Sequence, residues 1–531
     1  MTRATGLIRI EDASGRHKIR KIGKLVEKLR KKLGKILNSY VSEARATTAS
    51  GTVTIDVLPD DVLLQIFDFC GVGGHPPEFP VHPVLEWHRL VHVCRRWRQI
   101  IFSSPLRLDL SLLCKQGTPV RENLCLWPAF PIIVHYAGSH YVPKISSQDE
   151  DNIIAALEHP DRVRRLKFPI TRSLSRKLAT VVQAQEPFPL LTQLWLSSEN
   201  GCERVLHPGF LSGPAPRLRE IHLENVFFPT LPILLSSASD LVVLHLHRLP
   251  LPWYVSAEAM VASLTALTRL HDLSIDLSID FIWTWLTSLE SLPDQSGRAG
   301  PPTRVVLPVL TFFEFRGASG YLEDLVALID APCLTSIRIE CFEQPVFQGL
   351  QLVFQVSQLF KFICQTQFFE QALTTNAEVH FCSSFVIISL SSGPAPSHRI
   401  FLDFQISCRG LNSQVSHLVE ALSQSSMILF NVHHLSMLMY SSQSRDVDNI
   451  EWLALLRRFT AVETLVVSHG IARPIADALN EVTAAMAAEI LPALRLLHMI
   501  SEGVGCIEEF VATRQLSGLP PITITSANTI S

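Results

Sequence analysis

Twenty histidines and eleven cysteines are the side chains of this protein best suited to metal binding, proton transfer or nucleophilic attack, so their spacing decides which chemistry is open to them. The cysteines, at positions such as 70, 94, 114, 125, 202, 333 and 341, never form a C-x-x-C pair, and no His/Cys cluster has zinc spacing. Reduced, buried thiols fit this pattern. His222, His245, His247 and His498 sit between or beside regularly placed apolar residues, where a surface-facing strand histidine is expected. His433 and His434 are adjacent and would point to opposite strand faces, which is poor geometry for one metal. There is no P-loop, H-E-x-x-H, G-x-S-x-G or dinucleotide glycine fingerprint. Gly23 and Gly34 each precede a lysine, but no Ser or Thr follows, and "DQSGRAGPPTR" (294–304) reads as a loop rather than a phosphate cradle. The sequence therefore predicts no enzyme, no metal and no cofactor.

Binding remains, and the bulk composition narrows it. A chain of 531 residues with 47% hydrophobic content can bury a large core. A formal net charge of -3 provides no global field to attract nucleic acid or an anionic membrane, so any such attraction must be local. No apolar segment precedes a small-residue cleavage site, and no run of about 18 apolar residues occurs. The expected location is cytoplasmic and/or nuclear.

Three zones must position whatever binds. Residues 1–50 form a basic amphipathic tail and linker: in "HKIRKIGKLVEKLRKKLGKIL" nearly all the charge is Lys and Arg, and Ile19, Ile22, Val26, Leu29, Leu33 and Ile36 keep helical time. A short coiled coil, a membrane-surface anchor, a nuclear-import or nucleic-acid patch and a plain solvated tail all fit. Against an anionic surface each Lys or Arg of residues 18–37 would contribute about 1 kcal/mol.

The second zone, 54–113, opens on "VLPDDVLLQIFDFC". Pro59 stands where a helix tolerates it, and Asp60 and Asp61 place negative charge at the positive end of the helix dipole. Leu63, Ile66, Phe67 and Cys70 then share one face. Glycines at 71, 73 and 74 with "HPPEFPVHP" make a loop. A second helix is expected from about Val84–Trp87, with Leu90, Val93, Cys94 and Trp97 as its apolar stripe. Arg95, Arg96 and Arg98 fall on the rim or solvent side, and "SSP" at 103–105 closes the helix.

The third zone, 114–531, repeats one pattern, apolar-x-x-apolar-x-apolar. Its frames are Leu191/Leu194/Leu196, Leu218/Ile221/Leu223, Leu241/Leu244/Leu246, Leu270/Leu273/Ile275, Leu310/Phe313/Phe315, Leu334/Ile337/Ile339, Val462/Leu465/Val467 and Leu494/Leu497/Met499. A weaker copy is Val163/Leu166/Phe168. The last two positions of each frame share a strand face. Successive central residues from 194 to 337 are 27, 23, 29, 40 and 24 apart, with helical patterns such as "YLEDLVALIDA" and "IEWLALLRRF" between. Strand plus helix at that period predicts a leucine-rich-repeat solenoid, in which each unit buries its apolar edge against its neighbours. The Asn or Cys ladder of a regular repeat is mostly missing, which predicts an irregular solenoid with long insertions near 280–305 and 342–430.

The second zone resembles an F-box, the helical module that binds a Skp-type adaptor in cullin-based ubiquitin ligases. The motifs are "LPDDVLLQIFDF" and "WHRLVHVCRRWRQII": Leu58 and Pro59 match the leading Leu-Pro, Ile66 and Phe67 the first-helix anchors, and Val93, Cys94, Arg95 and Trp97 the V-C-R-x-W core. Loop 71–86 is longer than in a minimal F-box. Beyond residue 54 the chain is similar to a large group of fungal F-box proteins, in segments such as "DNIIAALEHPDRVRRL" (151–166), "YLEDLVALIDAPCL" (321–334), "HFCSSFVIISL" (380–390) and "FTAVETLVVS" (459–468). The resemblance implies an α/β chain in which a short all-helical F-box module precedes the repeat domain. It also implies an adaptor surface drawn from Leu58, Pro59, Leu63, Ile66, Phe67, Leu90, Val93, Cys94 and Trp97, with the solenoid presenting an unknown protein substrate to the ligase. The alternative is a leucine-rich-repeat scaffold whose F-box-like helices only cap the first repeat, with no ligase role.

Overall fold

The computed structural model describes residues 58–71, 90–103, 110–127, 129–136, 145–181, 187–198, 206–207, 209–249, 256–277, 304–342, 355–366, 375–392, 399–408, 410–424, 429, 431–439, 447–499 and 507–526. The basic tail at 18–37, most of loop 71–86, the expected helix start at 84–87 and nearly all of the 280–305 insertion lie outside them. Two compact units divide the chain, residues 1–108 and 109–531.

In the first unit, α1 spans Asp60–Gly71 with Asp60 and Asp61 in its first turn. Its first backbone bond runs from Leu63 N to Pro59 O (3.1 Å). The second helix differs from expectation. Residues 91–93 form a turn closed by Val93 N donating to Leu90 O (3.2 Å), and α2 begins only at Arg95 and ends at Ser103. Cys94 sits ahead of it, where its Sγ accepts from Trp97 N (3.4 Å) and its carbonyl from Arg98 N (3.2 Å). The thiol thus does the work of a weak N-cap. The turn breaks the helical phase, so the stripe Leu90/Val93/Cys94/Trp97 does not exist as one face. Val91, Trp97, Ile100 and Ile101 are the buried residues instead.

The second unit begins at Asp109, which makes Leu110–Leu113 its first strand rather than the tail of the helical region. Its strands in chain order are β1 (Leu110–Leu113), β2 (Ile132–His135), β3 (Val163–Ile170), β4 (Gln193–Ser198), β5 (Glu220–Glu224) and β6 (Val243–His247). There follow β7 (Asp272–Asp276), β8 (Val305–Val306), β9 (Phe312–Ala318), β10 (Ile329–Asp330), β11 (Ser336–Phe342) and β12 (Thr375–Phe381). Last come β13 (Val386–Ser392), β14 (Arg399–Ser407), β15 (Val432–Met439), β16 (Thr464–Val467), β17 (Leu496–Met499) and β18 (Thr523–Ser526). Among the described residues sixteen of them form one sheet in the order β1-β2-β3-β4-β5-β6-β7-β9-β11-β14-β13-β12-β15-β16-β17-β18, and β8 and β10 pair separately.

Every repeat frame read from the sequence lands in this sheet, and each of its apolar residues is at most 4% exposed. The central positions are in register, so Leu166, Leu194, Ile221, Leu244, Leu273, Phe313 and Ile337 form one apolar row across seven strands. A fully buried Leu or Ile side chain contributes about 1.5–3 kcal/mol. The rows therefore hold the strands together, and no single repeat could do so alone. Helices pack on this apolar side: Phe313 meets Phe362 of helix Ser357–Cys364 (centroids 6.0 Å), and Phe381 meets Trp452 of helix Asn449–Leu456 (5.6 Å). This is the strand-and-helix alternation of a leucine-rich-repeat solenoid.

The insertion expected at 342–430 is built into the sheet. It adds β12, β13 and β14 as an antiparallel meander within the sheet, with β14 parallel to β11 and β12 parallel to β15. The apolar rows continue through it, because Ile339 is opposite Phe404, Phe404 opposite Ile388, Ile388 opposite Val379 and Val379 opposite Met437. The missing Asn ladder has a described counterpart at Asn225. Asn225 is buried with φ +58°, and its Nδ2 donates to Ser198 O of the preceding repeat (2.9 Å). Left-handed backbone of this kind suits Asn better than other non-Gly residues.

Candidate functional site

The first candidate surface is built by α1 and α2. Phe67 and Trp97 pack ring against ring (centroids 4.9 Å, interplanar angle 57°) and hold the two helices together. Arg96 secures the other end. Its guanidinium donates to Leu58 O and to Asp60 Oδ1, both at 2.6 Å, while Arg98 Nε donates to Val91 O (2.9 Å). Two of the arginines expected at the rim therefore brace the unit. The Arg96–Asp60 pair is partly exposed, so its carbonyl bond does more than its charge.

These contacts sort the expected adaptor residues into two groups. Leu58, Leu63, Phe67 and Trp97 are buried, and Trp97 has no hydrogen-bond partner for its Nε1 among the described residues. Leu90, Ile66 and Cys94 are half-buried, and Pro59 is exposed. Val93 is 57% exposed, lifted out of the core by the 91–93 turn. Pro59 and Val93 are thus exposed and Ile66, Leu90 and Cys94 partly so, while the buried four hold the unit together.

The second candidate surface is the side of the sheet opposite the apolar rows. The residue between the last two apolar positions of each frame faces this way, and register aligns Lys167, Trp195, His222, His245, Ser274, Glu314, Arg338 and Asp403 into a polar row. Trp195 stacks on His222 (4.5 Å, 20°), His222 meets His245 edge-on (4.5 Å, 86°), and His245 stacks on His247 (5.5 Å, 10°). His245 Nε2 lies 3.0 Å from Asp272 Oδ1, His247 Nε2 lies 2.9 Å from Ser274 Oγ, and Ser274 Oγ donates to Glu314 (2.9 Å). His222, His245 and His247 do face the open side, but as one half-buried stack rather than as separate surface residues, while His498 Nδ1 lies 2.9 Å from Thr525 Oγ1. Further along, Arg316 bonds Glu340 (2.6 Å) and approaches Asp276 (3.7 Å), while Arg338 lies between Glu314 (3.9 Å) and Asp403 (3.7 Å). Among the described residues no group of His, Cys, Asp or Glu is arranged to hold a metal ion, and no helix is long and apolar enough to cross a membrane.

Burial, with the adjacent His245 and His247 adding to it, pushes His222 down to about 4, and burial likewise lowers His247. Protons therefore bind the unfolded chain better than the folded one. The stability from neutral His222 is complete above its ordinary value of 6.5 and is lost as pH falls toward 4. Wild type should lose more melting temperature between pH 7 and pH 5 than His222→Gln, measured by differential scanning calorimetry. Equal losses would remove the imidazole from the account.

Residues 55–110 match the F-box-like family model. The two helices, the Leu58-Pro59 entry and the Val93–Trp97 segment all fall inside that F-box-like region. No curated protein matches the chain. Among solved structures, the leucine-rich repeat-containing protein LegL7 from Legionella pneumophila is 12% identical over 77% of this chain and 98% of its own, with a TM-score of 0.25. A TLR13–ssRNA13 complex is 13% identical over 78% of this chain and 49% of that one, with a TM-score of 0.24.

Proposed function

We propose that the protein is the substrate-recognition subunit of a cullin-type ubiquitin ligase, acting without catalysis of its own in the cytoplasm or nucleus. The F-box-like region docks on a Skp-type adaptor through Pro59, Ile66 and Val93, and the open sheet face holds a target protein near the ligase. The observation that carries this reading is the match of residues 55–110 to the F-box-like family model, inside which the Val93 side chain is 57% exposed.

Size-exclusion chromatography of the full chain with a purified Skp-type adaptor tests the reading, and a single co-eluting peak is expected. A folded chain that never co-elutes with the adaptor would favour the other reading, a repeat scaffold whose F-box-like helices serve only as its N-terminal cap. That reading requires Pro59, Ile66 and Val93 to be dispensable for every partner.

A further inference from the structure

Arg165 and Lys167 are two apart on β3 and so share the open face of the sheet. Among the described residues neither forms an ion pair. Lys167 Nζ instead lies 4.0 Å from the centroid of the Trp195 ring, and Arg165 keeps a buried Nε without a partner. Trp195 is 42% exposed while stacked on His222. The indole thus joins an unneutralised cationic corner to a planar platform.

The charges around this corner are unevenly distributed. Along the row of Lys167 the first carboxylate is Glu314, five strands on, beyond Trp195, His222, His245 and Ser274. Along the row of Arg165 it is Glu220, two strands on past Gln193, about 10 Å away at the usual strand spacing. Glu224 already faces Arg248 (3.5 Å). Asp276, Glu314, Glu340 and Asp403 surround Arg316 and Arg338. The two cations at the β3 end are therefore without an ion pair among the described residues, while the acidic end is internally paired.

We infer that this corner docks an acidic peptide segment of a target protein: an Asp or Glu side chain pairs with Lys167 and Arg165, and a neighbouring planar or aliphatic side chain lies on Trp195 and His222. The inference rests on reading the repeat unit as the target-binding arm. A carboxylate fits because it satisfies both cations, and the indole face adds apolar area of the kind that anchors interfaces. A nucleic acid fits worse. Its affinity comes from many phosphate contacts, and Glu220, Glu224 and Asp272 would repel a continuous polyanion beyond the first two cations.

The test is an array of random nine-residue peptides, with single-stranded oligonucleotides spotted beside them, probed with the full chain. The variants are Trp195→Ala and the pair Arg165→Glu with Lys167→Glu, all at partly exposed positions and checked by circular dichroism. Peptides bound by wild type should be enriched in Asp and Glu, and each variant should lower their signal at least tenfold. Enrichment in Lys and Arg, preference for the oligonucleotides, binding that survives both variants, or no peptide bound at all would each overturn the inference. Co-elution with the adaptor should persist in both variants, so failure at this corner and failure of adaptor docking are read separately.

Discussion

Replacing Trp97 by Ala should unfold the F-box-like region, whereas replacing Val93 by Asp should leave it folded and without its partner. Truncating a core Trp costs about 3–5 kcal/mol, and a small unit rarely has more than that in reserve. Trp97 is 9% exposed and is packed on Phe67, so its loss opens the contact between α1 and α2. Val93 contributes little to that core, being 57% exposed on a turn. A carboxylate there remains hydrated in the free protein but would be desolvated under an apolar partner, which costs several kcal/mol. Hydrogen exchange over residues 60–71 and 95–103 separates the two: protection should disappear in Trp97→Ala and remain in Val93→Asp. Preserved protection in Trp97→Ala would show that the Phe67–Trp97 pair does not hold the unit.

Arg514→Ala should destabilise the last repeats by about 3 kcal/mol or more. The Arg514 guanidinium is buried and donates to three backbone carbonyls, Leu491 O (2.9 Å), Pro492 O (3.2 Å) and Leu494 O (3.2 Å). Leu491 is held at φ +48°, a left-handed conformation that a branched side chain adopts only under constraint. Alanine would take the guanidinium from Pro492 O and Leu494 O, each worth about 1–3 kcal/mol when buried, while Leu491 O keeps the Leu494 N–H (3.1 Å). Lysine should not rescue, because a single ammonium cannot reproduce the planar fork. In a repeat protein such damage stays local, so exchange should accelerate in 491–499 and 507–526 well before it does in 191–275. Uniform acceleration, or none, would contradict the assignment.

How far the sequence disclosed this depended on which interactions are local. The repeat frames are legible because an apolar residue at each of three fixed positions leaves little choice of strand face, and Leu194, Ile221, Leu244 and Leu273 are all fully buried. The sequence marks the meander at 375–407 only as a break in the repeat, because its strands pair antiparallel. Ala377 and Leu390 occupy the central apolar row, but neither sits in the repeated frame. Helical spacing places Val93 in the apolar stripe, but the turn at 91–93 breaks that spacing and buries Val91 in its stead. The histidine stack was the clearest missed signal. Each of Lys167, Trp195, His222 and His245 is the middle residue between two frame positions, so aligning the frames aligns them, and only the assumption of independence hid the platform. Arg96 could not have been placed from spacing, since its partners Leu58 and Asp60 lie 38 and 36 residues away.

Adaptor docking is the central claim, and isothermal titration of a purified Skp-type adaptor into the full chain tests it most directly. Wild type should bind with a 1:1 stoichiometry, and Val93→Asp, shown folded by exchange, should bind at least a hundredfold more weakly, a loss of about 2.7 kcal/mol. Equal affinity of wild type and Val93→Asp, or no heat from a wild type whose residues 60–71 and 95–103 are protected, would contradict it.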